Sequence, residues 1–101
     1  MKEVLKDLDK AFENRIRLGI MSALIVNDYL DFTSLKDLLG ATDGNLASHL
    51  RSLEKYQYVE FVKRFINRKP NTNYSATIKG KNAFKKHIEA IEQLLKQTFV
   101  L

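Results

Sequence analysis

The fold is decided by the stretch Gly40-Ala41-Thr42-Asp43-Gly44-Asn45-Leu46-Ala47-Ser48-His49-Leu50-Arg51-Ser52-Leu53-Glu54-Lys55. This stretch predicts a turn that leads into a helix. Gly40 can adopt the left-handed conformation that ends a preceding helix. The side chain of Thr42 or Asp43 can then accept hydrogen bonds from the free N–H groups at the start of the next helix. Three leucines recur at +4 and +3 and share one face of that helix, namely Leu46, Leu50 and Leu53.

The opposite face of this helix is small, hydrogen-bonding or cationic. A helix that enters the DNA major groove needs such a face, because amide, hydroxyl and guanidinium groups meet base edges and phosphates there. An ordinary amphipathic surface helix would show the same leucine stripe, so the stretch by itself leaves both interpretations open. The residues of this face are Asn45, Ala47, Ser48, Arg51, Ser52 and Lys55.

The length of 101 residues predicts one domain, residues 1–101, and 45% hydrophobic residues are enough for a small core. Cysteine is absent, which excludes disulfides, cysteine-ligated metals and thiol-based sensing and is compatible with a reducing cytosol. The first ten residues alternate charged and apolar side chains and do not form a signal peptide. No apolar run approaches the ~20 residues that cross a bilayer. We therefore expect a cytoplasmic protein without a membrane segment.

The net charge of +5 is concentrated in one part of the chain. Residues 1–40 hold six Lys/Arg and seven Asp/Glu, residues 41–81 hold eight and three, and residues 82–101 hold three and two. The basic excess therefore surrounds the candidate helix. Such a local excess is the pattern expected of a protein that binds a polyanion.

The first forty residues predict two helices separated by a short extended segment. A long first helix over residues 2–26 follows from an apolar stripe with 3-4-4-4-4 spacing. Residues 29–32 are apolar and aromatic and predict a brief strand. Thr33 or Ser34 then caps a second helix, which together with the following turn and third helix forms a helix-turn-helix. The stripe of the first helix consists of Leu5, Leu8, Phe12, Ile16, Ile20 and Leu24.

Beyond residue 55 the pattern changes to that of a hairpin followed by a long helix. Residues 59–66 and 72–78 are extended segments around a basic, turn-rich stretch at 67–71. Thr77 is the better of two candidate caps for the last helix. That helix carries a heptad-like stripe about two turns longer than a small domain needs, which predicts a subunit contact. The stripe consists of Phe84, Ile88, Ile91, Leu95 and Thr98, with Leu94 beside it.

This order of elements is that of a winged helix-turn-helix, mainly α with a small β-hairpin (α+β) and with long N- and C-terminal helices. The chain resembles the small winged-helix transcriptional regulators related to the MarR and ArsR groups. Three segments in the right order and spacing carry the resemblance, and none of them is diagnostic alone. They are NRIRLGIMSAL (14–24), TDGNLASHLRSLEK (42–55) and RKPNTNYSATIKG (68–80).

The resemblance implies a homodimer on pseudo-palindromic double-stranded DNA. The recognition helix, about residues 42–55, would enter the major groove, and the wing, about residues 64–74, would touch the backbone or the minor groove. Most such proteins are repressors whose DNA affinity changes when an unidentified small-molecule effector or a competing partner binds. The terminal segments 1–12 and 82–101 would supply the dimer interface. Its candidate residues are Leu5, Leu8, Phe12, Phe84, Ile88, Ile91, Leu94 and Leu95.

Individual DNA contacts are hypotheses on the matched positions. The amide of Asn45 suits adenine, and the guanidinium of Arg51 suits guanine or a phosphate. Thr42 either contacts DNA or is purely a helix cap, and His49 either reaches a phosphate or packs at the helix edge. Arg68 is at the predicted hairpin tip, where a narrow minor groove would attract it. The full candidate set is Thr42, Asn45, Ala47, Ser48, His49, Arg51, Lys63, Arg64, Arg68 and Lys69.

The sequence predicts neither a metal site nor a cofactor. Its two histidines, His49 and His87, come without cysteine or a clustered Asp/Glu/His set. This departs from the metal-sensing members of the ArsR group, and the missing cysteines exclude the peroxide-sensing chemistry of some MarR relatives. There is also no phosphate-binding glycine loop and no activated nucleophile motif, so we do not expect an enzyme.

The remaining alternative is a winged-helix module for protein interaction or for RNA binding, since fold does not determine function. An interaction module needs no basic wing, which this chain has. A reader of single-stranded RNA would expose aromatic side chains for stacking. We expect Phe61, Phe65 and Tyr74 to pack in the core instead, and only Tyr56 and Tyr58 are candidate exceptions.

Overall fold

The structure is a computed structural model that describes residues 1–100, and its elements confirm the predicted fold class. The described residues form five helices and one three-stranded sheet, in the order helix, sheet strand, helix-turn-helix, hairpin and long helix. The elements are α1 (Lys2–Leu5), a 3-10 turn (Lys10–Phe12), α2 (Arg15–Val26), β1 (Leu30–Asp31), α3 (Phe32–Leu39), α4 (Asp43–Lys55), β2 (Val59–Ile66), β3 (Lys69–Ala76) and α5 (Ile78–Phe99). None of these helices is both long enough and apolar enough to cross a membrane.

The prediction of one continuous helix over residues 2–26 is wrong, because the chain breaks twice before α2. The side chain of Asp9 accepts a hydrogen bond from the backbone N–H of Ala11. The side chain of Asn14 accepts from the N–H groups of Ile16 and Arg17. An Asp or Asn side chain that satisfies these free N–H groups begins a new helical segment instead of continuing the old one.

The helix-turn-helix forms as predicted, with one correction to its start. The cap of α3 is Asp31, whose carboxylate accepts from the N–H of Ser34 at 2.8 Å, and not Thr33 or Ser34. This hydrogen bond holds the pKa of Asp31 below its ordinary value. Gly40 ends α3 in the left-handed region with φ of 60°, as the sequence indicates.

The core lies between α2, α3 and α4. The leucine face of α4 is fully buried against apolar side chains of the other two helices. Burial of each such side chain contributes roughly 1.5–3 kcal/mol, so the position of α4 on the core is firmly determined. The largest fully buried side chains are Ile20, Met21, Leu24, Leu35, Leu46, Leu50 and Leu53.

The sheet has the order β1-β3-β2 and is antiparallel throughout. The strands β2 and β3 pair from Val59 opposite Ala76 out to Ile66 opposite Lys69, so the turn consists of two residues and not of the predicted 67–71. Asn67 and Arg68 form this turn with φ of 53° and 66°. Positive φ at both residues is typical of the type I′ turn, which matches the twist of a hairpin.

Two expectations about aromatic residues are wrong. The resemblance implies that Phe12 lies in the dimer interface, yet it is 2% exposed and packs against Tyr58, Phe84 and His87 with ring centroids 5.1–5.3 Å away. The sequence predicts that Phe61 and Phe65 pack in the core, yet they are 51% and 78% exposed. The reason is that the paired hairpin extends beyond the core, which covers only its base.

The last helix begins at the predicted cap, since the hydroxyl of Thr77 accepts from the N–H of Gly80 at 2.9 Å. α5 has 22 residues and is therefore about 33 Å long. α1 packs along α5, and the molecule measures 55 × 25 × 21 Å. The elongated shape leaves one side of α5 exposed.

Candidate nucleic-acid interface

The exposed face of α4 is set by its cap and by its buried leucines. The hydroxyl of Thr42 accepts from the N–H of Asn45 at 3.2 Å and begins the helix. Three-residue spacing then places Asn45, Ser48 and Arg51 on neighbouring turns, and all three are exposed. Lys55 is exposed at the end of the helix, whereas Ala47 and Ser52 are half-buried at the edges of this face.

The capping role of Thr42 leaves its hydroxyl hydrogen free for another acceptor. A hydroxyl has one donor and two acceptor lone pairs, and the cap uses a single lone pair. Thr42 is exposed, so its O–H can still donate to a phosphate oxygen. The two roles considered for Thr42 are therefore compatible.

An ion pair between α3 and α4 offsets the one acidic residue at the start of the recognition helix. The Nζ of Lys36 lies 2.9 Å from a carboxylate oxygen of Asp43. The hydrogen bond to Asp43 raises the pKa of Lys36. Sequence reasoning missed this pair, because nothing in the local pattern shows that these two residues meet across the turn.

His49 packs against α2 through Arg17. The Nη1 of Arg17 lies 3.1 Å from Nδ1 of His49, and its Nε donates to the carbonyl of Ala11 at 2.6 Å. Because a guanidinium only donates, Nδ1 of His49 accepts and the proton of the neutral ring is on Nε2. Burial and, second, the charge of Arg17 lower the pKa of His49 below 6.5. The structure thus shows the packing role, and the phosphate contact of His49 stays a prediction.

The predicted wing covers residues 64–74 of the hairpin, and its outer part, residues 64–70, is basic and exposed. Arg68 lies in the turn, Lys69 begins β3, and Lys63 and Arg64 are exposed on β2. The guanidinium of Arg64 lies 5.0 Å from the ring centroid of Tyr29, a cation–π contact. Tyr29 was not singled out from the sequence, since it meets Arg64 only when the sheet forms.

A hydrogen-bond network joins α5 to the start of the chain and accounts for the second histidine. The buried ring of His87 accepts from the N–H of Asp9 at Nδ1, at 2.9 Å. The hydroxyl of Tyr58 donates to the carboxylate of Asp9 at 2.6 Å. Burial and this hydrogen bond raise the pKa of Tyr58 to about 12. Among residues 1–100 no three His, Cys, Asp or Glu side chains cluster closely enough to hold a metal ion.

An exposed polar helix on a helix-turn-helix, with a basic two-stranded wing beside it, defines the class of winged helix-turn-helix proteins. Residues 16–95 match the family described as the winged helix DNA-binding domain. The chain belongs to this family.

Two similar proteins match most of the chain. The chain is 40% identical over 87 residues to the uncharacterized protein MJ0432 of Methanocaldococcus jannaschii, an alignment that covers 86% of this chain and 95% of that protein. It is similar to the transcriptional regulator homologue of Pyrococcus horikoshii OT3, with 30% identity, a TM-score of 0.86 and coverage of 97% and 95% of the two chains.

A putative MarR-family regulator from Enterococcus faecalis V583 shares the fold, with 20% identity, a TM-score of 0.76 and coverage of 90% of this chain and 84% of that one. The chain is thus a winged-helix DNA-binding transcriptional regulator with the MarR-type fold. The predicted resemblance to the MarR group is confirmed.

Proposed function

We propose that this protein is a homodimeric repressor that binds pseudo-palindromic double-stranded DNA in a sequence-specific manner. The observation that carries the proposal is the polar face of α4. Asn45, Ser48 and Arg51 are exposed on the side opposite the buried leucines. A rigidly seated helix with amide, hydroxyl and guanidinium groups on its outer face has the chemistry that reads base edges in the major groove.

Residue roles follow from the positions of the side chains. Asn45 reads an adenine, and Arg51 binds a guanine or a phosphate. Thr42 and Ser48 donate hydroxyl hydrogens to phosphates or base edges. Ala47 allows close approach and contacts a thymine methyl group. His49 offers its Nε2–H to a phosphate.

The wing binds the DNA backbone or the minor groove next to the recognition helix. Its cationic side chains are Lys63 and Arg64 on β2, Arg68 in the turn and Lys69 on β3. From residue 61 to residue 81 there are six Lys/Arg and no Asp/Glu. Such an excess of positive charge attracts phosphates and makes binding depend on salt concentration.

The dimer interface is formed by the exposed side of α5 together with α1. Ile88, Ile91 and Leu95 follow helical spacing and are 40%, 43% and 46% exposed, an apolar surface that a second copy would bury. Leu5 is exposed on α1, which packs along α5. Leu8, Phe84 and Leu94 are half-buried and would complete the interface. Two recognition helices in such a dimer would lie about one helical turn of DNA, ~34 Å, apart.

Residues 1–101 act in this proposal as one DNA-binding domain in the cytoplasm, with 1–12 and 82–101 used for dimerisation. Regulation then comes from a competing partner or from a small-molecule effector at the interface. A groove of about 450 Å³ between α2 and α5, lined by Ile25, Phe84 and Ile88 among others, offers one space for such an effector.

Selection from a random double-stranded DNA pool, with the enriched duplexes retested across a salt series, tests the proposal. We expect a pseudo-palindrome whose half-sites are centred about ten base pairs apart. Binding that depends steeply on salt but selects no sequence would contradict base reading by α4. Absence of binding at moderate salt would contradict the DNA-binding proposal as a whole.

The second candidate is an RNA-binding or protein-interaction module, and one observation favours RNA binding. Phe61 and Phe65 are exposed on a basic hairpin, an arrangement that suits stacking of single-stranded bases. Competition between labelled operator duplex and unlabelled single-stranded RNA separates the two candidates. RNA that displaces the duplex at equal concentration would favour the second.

A further inference from the structure

The wing carries an apolar tip that the DNA-binding role assigned above does not use. Phe65 is 78% exposed and Ile66 is 50% exposed, and both lie at the outer end of β2. In the strand register Phe65 is opposite Pro70 and Ile66 is opposite Lys69. Directly paired residues share a face of the sheet, so Phe65 and Pro70 form one small apolar surface beside the turn.

No side chain of residues 1–100 covers this tip. The charges around it indicate which class of molecule would bind there. The hairpin is flanked by Lys63, Arg64, Arg68 and Lys69, without an acidic side chain from residue 61 to residue 81. Two copies of such a tip would repel one another, whereas a polyanion would be attracted to it. The occupant must therefore be anionic on its outside and apolar at the depth that Phe65 reaches.

Duplex DNA meets both requirements in its minor groove. Phosphates line the edges of the groove, and sugar rings and base edges form its walls and floor. Apolar side chains that proteins insert there between base steps are typically Phe, Leu, Ile, Met or Pro, with Arg and Lys beside them. The tip combines three such apolar residues, Phe65, Ile66 and Pro70, with adjacent cations.

The hairpin is also long enough to reach the minor groove next to the recognition helix. Phe65 lies six residues beyond Val59, the buried residue that anchors β2 just after α4. Six extended residues span roughly 20 Å. The minor groove next to an occupied major groove lies about half a helical turn away, or ~17 Å. A recognition helix in the major groove would therefore bring Phe65 to the adjacent minor groove.

We propose that Phe65 is an apolar wedge that enters the minor groove and partly unstacks one base step, with Pro70 beside it against the groove wall. This inference rests on the DNA-binding function proposed above and adds a mode of recognition to it. Because pyrimidine–purine steps such as TA and CA/TG unstack most easily, the wedge would select such a step without a hydrogen bond to a base.

The test uses the operator duplex recovered by selection, with 2-aminopurine placed at successive positions in the sequence flanking each half-site. Fluorescence of this base rises when it unstacks. We expect the full-length wild-type protein to raise the fluorescence at one position per half-site. Phe65→Ala should abolish the rise and weaken binding about tenfold, the order expected for one aromatic stacking contact.

Two further variants serve as controls. Phe65→Leu keeps an apolar wedge and should retain most of the fluorescence rise. Val62→Ala removes an exposed apolar group from the same strand, nearer the core, and should bind like the wild type. Since Phe65 is largely exposed, Phe65→Ala should also keep the wild-type melting temperature.

The outcomes separate this inference from the function on which it rests. Wild-type affinity for Phe65→Ala, with no fluorescence rise for either protein, would overturn the wedge and leave the DNA-binding function standing. Weaker binding by Phe65→Ala without any fluorescence change in the wild type would also overturn unstacking. If the wild type binds no duplex, the proposed function fails first.

Discussion

The guanidinium of Arg17 donates a hydrogen bond to Nδ1 of His49 across 3.1 Å and so joins α2 to the recognition helix. The same guanidinium binds the carbonyl of Ala11 at 2.6 Å. A single side chain thereby connects the 3-10 turn, α2 and α4. A proton on Nδ1 of His49 would remove the acceptor of this contact.

The free energy of unfolding should depend on pH through His49. Its pKa is lower in the folded state than the ordinary 6.5, so the folded state binds fewer protons than the unfolded state. The contribution of His49 to the free energy of unfolding is therefore fully present above its pKa in the unfolded state. It is lost as pH falls through its pKa in the folded state. Urea unfolding from about pH 5 to about pH 8 measures it. His49→Gln should show a smaller rise of stability with pH, and equal slopes for both proteins would contradict the assignment.

Asn45→Ala should relax the preference for one base pair of the operator. Removal of the exposed amide leaves the adenine without its bidentate partner, which costs about 1–3 kcal/mol on the preferred sequence and little on random DNA. Competition with operators that vary at one position gives the measurement. Lys69→Ala is the comparison, since loss of a wing contact to a phosphate weakens binding to every sequence alike. Equal losses on specific and random DNA for Asn45→Ala would exclude it as a base reader.

Arg68→Gly should have opposite effects on stability and on DNA binding. Arg68 has φ of 66°, which costs a non-glycine residue roughly 1 kcal/mol, so glycine should stabilise the hairpin. Loss of its charge should weaken binding to all sequences and reduce the salt slope by nearly one. Thermal melts and a salt titration measure the two effects. As a control, Lys96→Ala removes a charge from the far end of α5. If Lys96→Ala reduces the salt slope as much as Arg68→Gly does, the specific wing contact of Arg68 is refuted.

Ile88→Glu combined with Ile91→Glu should convert the proposed dimer to monomers. Two charges on the exposed apolar side of α5 would have to be desolvated in the interface, at a cost that the apolar contact does not offset. Sedimentation velocity shows the result. The matched control is Gln93→Glu with Gln97→Glu, which adds two charges to exposed positions on another face of the same helix. An intact dimer for the first pair would place the interface elsewhere.

Gly80→Ala should destabilise the fold, whereas Gly44→Ala should not. A Cβ on Gly80 would collide with the backbone carbonyl of Tyr58, to which the N–H of Thr77 also donates at 3.0 Å. The neighbouring backbone must move, at a cost of about 1–3 kcal/mol. Gly44 has open space and ordinary helical φ, so alanine should stabilise α4 by about 0.5–1 kcal/mol. Denaturant unfolding of both variants decides the matter.

The parts of the site that were predictable are those that depend on local chemistry. Thr42 and Thr77 cap their helices as the sequence indicates, and Gly40 ends α3. The leucine spacing in α4 determines which side chains face outward. Each of these features depends on hydrogen bonds or periodicity within about four residues, so a linear sequence is enough to show it.

The remaining features could not be read from one segment at a time. The apolar stripe continues from Phe12 into Ile16 without a gap, so periodicity alone hides the break that the side chains of Asp9 and Asn14 introduce. The alternation of residues in β2 does not indicate where the core ends, so the sequence predicts that Phe65 is buried. The structure shows that the hairpin extends beyond the core and leaves Phe65 exposed.

By itself, therefore, the sequence determined the order of the elements from β1 onward, the caps Thr42 and Thr77, the buried face of α4 and the basic character of the wing. Only the tertiary structure decided that Phe12 belongs to the core, that Arg17 holds His49 and that Phe65 is exposed. Caps and periodic faces are satisfied by neighbours in the chain, whereas burial and pairing depend on which distant surfaces meet when the helices and the sheet pack together.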